Sequence, residues 1–207
     1  MKKLFTMVLV SLMLLGFSSA AHAVVLVPSG SVVPTGAGLP FGGGTLLATI
    51  VSAPWAVTGA SGTFSQWVYS NPTGMLFAYQ FTNSVGSGVD VTSMAANYFG
   101  GFTTDVDAFP SIFSPAVANV NRSILLGDAV TYTYATGDRF LPGKTSQTLW
   151  VQTNAQYYGT GAVGILAGTT ANIFAYGPAV PEPMSMGLLG LGLLGFVGTS
   201  FRKRFVA

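Results

Sequence analysis

Asp105 and Asp107 stand two residues apart on a stretch that reads as extended, so both carboxylates would face the same way. Two such oxygens could begin a Ca²⁺ site, but calcium takes about six to eight oxygen ligands, and no D-x-D-x-D-G run supplies the rest. As a glycosidase pair they would need a cleft and a defined separation, which adjacency in sequence does not supply. Together with Asp128 they are the carboxylates on which a secreted glycan hydrolase would have to rest. Ser146 follows Lys144 by two positions, a spacing that by itself activates no hydroxyl.

Two glycine-containing stretches imitate nucleotide loops. Gly159-Thr160-Gly161-Ala162-Val163-Gly164 has the G-x-G-x-x-G spacing, but that fingerprint also needs a βαβ unit and an acidic residue about 20 positions further on. No Asp or Glu occurs between Asp138 and Glu182, so the stretch is expected to be a turn between strands. In Gly143-Lys144-Thr145 the preceding glycine, Gly137, lies one residue too far for a phosphate loop, and Pro142 stiffens the backbone that would cradle phosphate. The same run lacks the last glycine of a sortase signal, L-P-x-T-G, and lies far from the C-terminal end. Leu141-Pro142-Gly143-Lys144 is therefore read as a turn.

What the chain lacks narrows its chemistry further. It has no Cys, which removes disulfides, thiol nucleophiles and thiolate metal sites, and its single His is His22, inside the N-terminal segment. No cofactor and no metal site is expected, and the body reads as non-enzymatic. The formal charge of +2 is a property of the ends: Lys2, Lys3, Arg202, Lys203 and Arg204 are all terminal. Between Val24 and Ala179, Arg122, Arg139 and Lys144 face five Asp, which leaves that span at minus 2. Nucleic-acid binding needs a clustered basic surface and finds none there.

The elements that must position these residues fall into three segments. Residues 1–23 have the form of a secretory signal peptide: Lys2-Lys3, an apolar run from Leu4 to Phe17, and Ala21-His22-Ala23 with the small residues of a cleavage site, placed after Ala23. Residues 24–179 form the exported body. There, Phe64, Gln66 and Val68 alternate with Thr63, Ser65, Trp67 and Tyr69, and Phe77, Tyr79 and Phe81 share one face of the next strand. Asn71-Pro72-Thr73-Gly74 joins the two as a hairpin. Further short strands are expected at 24–27, 45–51, 89–99, 123–126, 130–136, 147–153 and 171–176, and no long 3.6-residue period occurs. The body is predicted to be all-β, an antiparallel β-sandwich rather than a closed barrel; jelly-roll and immunoglobulin-like arrangements are not resolved. Most aromatic side chains are expected to fill its core, with Trp150, which shares a face with Gln152, as the tentative ligand contact.

Residues 180–207 have a different composition. Val180-Pro181-Glu182-Pro183 precedes 18 uncharged residues, Met184 to Phe201, and then Arg202-Lys203-Arg204. As a helix those 18 residues would span roughly 27 Å, close to the hydrocarbon thickness of a bilayer. The basic cluster beyond them favours the cytoplasmic side, so a precursor would sit N-out and C-in. Proline at 181 and 183 keeps the segment ahead of the membrane extended and unpaired.

The three parts in this order resemble the PEP-CTERM sorting signal, the tag recognised by exosortases in Gram-negative bacteria, over Val180 to about Phe205. The resemblance implies that Pro181, Glu182 and Pro183 are the recognition and processing motif, that 184–201 is a transient transmembrane helix and that Arg202, Lys203 and Arg204 are the membrane stop. It also implies a precursor held in the inner membrane, then a cell-surface or matrix protein in an exopolysaccharide-producing, biofilm-forming envelope. The partners so implied are exosortase, the general secretion machinery and exopolysaccharide. In the body, Leu76 to Asn83, Phe99 to Val106 and Leu141 to Ser146 look like segments recurring in the β-rich exported portions of such proteins, which bears on fold and not on activity.

Overall fold

The computed structural model describes residues 24–34, 44–109, 116–124, 127–135 and 140–180. They form twelve strands: β1 (Val24–Val25), β2 (Ser31–Val32), β3 (Thr45–Val57), β4 (Ala60–Asn71), β5 (Gly74–Asn83), β6 (Ser93–Ala96), β7 (Thr104–Phe109), β8 (Val117–Arg122), β9 (Val130–Tyr134), β10 (Thr148–Thr153), β11 (Tyr157–Ala167) and β12 (Thr169–Ala179). The first sheet runs β1-β7-β10-β5-β4-β3 and the second β12-β11-β6-β9-β8-β2, with every pairing antiparallel. Among the described residues there is no helix, so none is long and apolar enough to cross a membrane. The expected signal peptide and the expected helix over 184–201 lie outside the described residues.

The alternation of β4 and β5 determines which side chains meet between the sheets. Phe64 and Val68 on β4, and Phe77, Tyr79 and Phe81 on β5, are all buried in the main core. Val130, Tyr132 and Tyr134 on β9, with Val163 and Ile165 on β11, meet them from the second sheet. Aromatic pairs link the layers at favourable separations: Phe81 to Phe140 at 4.9 Å, Phe77 to Phe99 at 5.8 Å and Phe81 to Tyr134 at 6.2 Å. The β4–β5 hairpin turns on Asn71, whose Oδ1 accepts from Thr73 N, Thr73 Oγ1 and Gly74 N. Gly74 itself has φ +136°, a backbone conformation that side chains with a Cβ rarely adopt.

Three polar side chains clamp the layers. Gln66 is fully buried and pairs with the backbone of β12 as a strand would: its Nε2 donates to Tyr176 O and its Oε1 accepts from Tyr176 N, both at 2.7 Å. Tyr132 Oη donates to Trp150 O at 2.6 Å, from one sheet to the other. Arg122 donates from Nε to Gly127 O (2.8 Å), from Nη1 to Leu26 O (3.0 Å), and from Nη2 to Phe99 O (2.8 Å) and Phe102 O (2.7 Å). One guanidinium thereby holds three connecting segments together.

Several sequence expectations need correction. The G-x-G-x-x-G stretch is no turn: Gly159 to Gly164 lies inside β11, paired along its length with β12. Glycine is required there for close approach, since a Cβ on Gly161 would sit 2.7 Å from Gly177 N. The strand expected over 89–99 shortens to Ser93–Ala96, where Tyr98, with φ +75°, turns the chain out of the sheet. Of the strand expected at 123–126, Ser123 and Ile124 lie past the end of β8 at Arg122, and 125–126 lie outside the described residues.

Candidate functional site

Among the described residues the candidate carboxylates sit in different environments. Asp105 and Asp107 do share a face of β7, as their spacing predicts, but Asp107 is completely buried and its Oδ1 accepts from Ala108 N at 2.8 Å. Asp105 is partly exposed, and desolvation raises its carboxyl above the usual range. Asp128 is exposed on the connection between β8 and β9. Arg122 gives its hydrogen bonds to carbonyls, and burial lowers its pKa. Among the described residues no group of three His, Cys, Asp or Glu side chains is placed to hold a metal ion.

Ser146 and Lys144 are equally far from an activated pair. Ser146 is buried; its Oγ accepts from Phe81 N at 3.0 Å and donates to Gln147 O at 2.7 Å, so its proton is committed to the backbone. Lys144 is exposed at the end of the Leu141–Lys144 turn, where Gly143 has φ +81° and Lys144 N donates to Leu141 O at 3.3 Å. Proline followed by a left-handed glycine is the signature of a type II turn.

Trp150 is not a surface residue. It is on the outward face of the first sheet with Gln152, as expected, but it is fully buried, packed with Leu76 and Ala78 beneath Trp67 and Tyr69. The ligand contact expected at Trp150 is thereby corrected: alternation assigns its face, and large neighbours on β4 cover it. Two clefts open elsewhere. One, of about 380 Å³, lies between β3 and β12 and is lined by Ile50, Pro54, Trp55, Ala171 and Phe174 among others. The second, of about 410 Å³, is lined by the Val25–Pro28 and Gly101–Thr104 segments and by Arg122. Neither lining contains a carboxylate.

The chain leaves the sandwich at the end of β12. Ala179 still pairs with Tyr157, whereas Val180 is 71 % exposed and outside any strand. The comparison with protein families matches residues 179–204 to the PEP-CTERM protein-sorting motif. The chain carries a PEP-CTERM sorting domain over those residues. No curated protein and no solved structure matches it.

The PEP-CTERM motif marks the chain as an exported protein targeted to exosortase, with a C-terminal membrane-anchored sorting signal. It begins on the last paired residue of the last strand. Proline at 181 has no N–H to continue that pairing. Pro181, Glu182, Pro183 and the basic Arg202, Lys203 and Arg204 lie outside the described residues, as do Ala21 and Ala23 at the expected signal cleavage. Four residues, Val180 to Pro183, separate β12 from the apolar run, which at full extension is roughly 14 Å.

Proposed function

We propose that the protein is a non-enzymatic component of the cell envelope or extracellular matrix. It is a β-sandwich delivered by the exosortase route that contributes structure, adhesion or contact with polysaccharide. The observation that carries this reading is the sorting motif at 179–204, joined without a spacer to a compact body. In the precursor, the signal peptide exports the body, the apolar run over 184–201 holds it N-out and C-in, and the Pro181-Glu182-Pro183 segment is offered to the sorting enzyme. Cleavage there releases the sandwich to the cell surface or matrix.

Support for the non-enzymatic part comes from the polar side chains themselves. Asp107 is sealed in β7, Ser146 is committed to backbone partners and Arg122 is used to join loops. The test is expression in a host with and without its exosortase. With the enzyme the protein should appear in the surface and matrix fraction; without it, the protein should remain in the inner-membrane fraction at full length. Equal distribution in both hosts would refute the assignment. Glycan hydrolysis that survives purification and is abolished by Asp105→Asn would refute the non-enzymatic part.

A further inference from the structure

The outward face of the second sheet has an unusual chemistry. The positions on β6, β8, β9, β11 and β12 that alternate with core residues carry Ser, Thr, Asn, Gly, Ala, Leu, Pro, Tyr or Phe, and none is charged. Along its β11–β12 margin three rings form a continuous row. Tyr158 and Tyr176 have centroids 5.4 Å apart with planes at 88°, and Tyr176 and Phe174 are 5.5 Å apart with planes at 76°. Tyr158 and Tyr176 are half-buried against the core, which fixes them, while Phe174 is 55 % exposed.

Beside the rings are two exposed polar side chains. Thr160 is paired across from Tyr176, and Asn172 is one strand position beyond Phe174 on the same face. Both are exposed, and neither side chain makes a hydrogen bond among the described residues. An anchored ring face flanked by free hydroxyl and amide groups matches a pyranose, whose flat C–H face covers an aromatic ring while its hydroxyls exchange hydrogen bonds at the rim. An anionic polymer would call for cations, and no Lys or Arg is among the outward positions of these strands.

We propose that Phe174, Tyr176 and Tyr158, with Thr160 and Asn172, form a stacking site for a neutral polysaccharide. The proposal rests on the matrix reading given above and names the surface that would serve it. Phe174 is the energetic centre, because its ring is both exposed and held by its neighbour, and such anchors dominate binding.

The test uses the processed protein recovered from an exosortase-bearing host, run in native gels containing hydroxyethylcellulose, galactomannan or xylan, with alginate as the anionic control. At least one neutral polymer should retard it and alginate should not. Phe174→Ala should weaken that retardation about tenfold with an unchanged melting curve, and Phe174→Tyr should retain it. Val85→Ala, at a site 85 % exposed elsewhere on the molecule, should change nothing. No retardation by any neutral polymer, equal retardation by alginate, or full binding by Phe174→Ala overturns the proposal. So does retardation that follows protein concentration in a polymer-free gel, which would show copies pairing through this face. A protein that reaches the matrix fraction yet binds none of the polymers refutes this site alone; one that never reaches it refutes the underlying reading.

Discussion

Replacing Arg122 with methionine keeps the apolar stem and removes the guanidinium, so four backbone carbonyls, of Leu26, Phe99, Phe102 and Gly127, lose their donor. A hydrogen bond to a charged group contributes about 1.5–3 kcal/mol net, which sets a ceiling of roughly 6–12 kcal/mol for four. The real loss is smaller, because the mutant no longer buries a cation and the connecting segments relax toward water. We expect Arg122→Met to destabilise the sandwich by about 3–5 kcal/mol, which for a body of this size lowers Tm by about 10 °C or more. Urea unfolding followed by circular dichroism would read the change. Arg122→Lys keeps the charge but not the planar fork that reaches several acceptors at once, so it should recover less than half of the loss. A loss below about 1 kcal/mol for Arg122→Met, the size of a surface substitution, would refute the clamp. Full recovery with lysine would show that charge and not geometry matters.

Gln66→Ala should cost about 2–4 kcal/mol in urea unfolding, since it strips both the N–H and the C=O of Tyr176 of their partner; a change under about 0.5 kcal/mol would contradict the pairing. Gly74→Ala combines a strained φ with a Cβ driven into the backbone oxygens of Thr153 and Ala155, and should cost more than about 2 kcal/mol. Gly86→Ala, with no heavy atom near its Cβ, should stay within about 0.5 kcal/mol, so equal melting of the two variants would be the wrong result. Of the eight tyrosines, Tyr79, Tyr132 and Tyr134 are held far above the ordinary phenol range by desolvation. Above about pH 10 the unfolded chain releases those protons and the folded chain does not, so stability falls as pH rises. Alkaline titration by ultraviolet absorbance should show these three phenols ionising only with unfolding; their ionisation in the native state would contradict their burial.

The parts of the fold legible in sequence were those where side chains alternate without interruption. Phe64 and Val68 opposite Phe77, Tyr79 and Phe81, joined through Asn71 to Gly74, are where the pattern put them, because both strands have one apolar face and a turn that only this chemistry permits. Strand β11 was hidden by Gly159, Gly161 and Gly164: glycine ordinarily signals a turn, and only the three-dimensional approach to β12 reveals that it is needed within a strand. Strand β8 was hidden because Val117–Arg122 is built from valine, alanine, asparagine and one arginine and lacks the aromatic signal. Alternation assigns a face but not what covers it, which is why Trp150 was sought at the surface while Phe174, in a strand expected only as 171–176, was passed over. The use of Arg122 on carbonyls instead of carboxylates was not readable at all, since its partners are backbone groups brought together by tertiary packing.

The central claim is that the chain is an exosortase substrate whose tail is removed. Intact-mass spectrometry of the exported protein, from a host that carries the sorting enzyme, tests it directly. The account predicts a product ending at or near Pro181 to Pro183, lacking the apolar run and Arg202-Lys203-Arg204. An exported product that still carries Arg202-Lys203-Arg204 would contradict it.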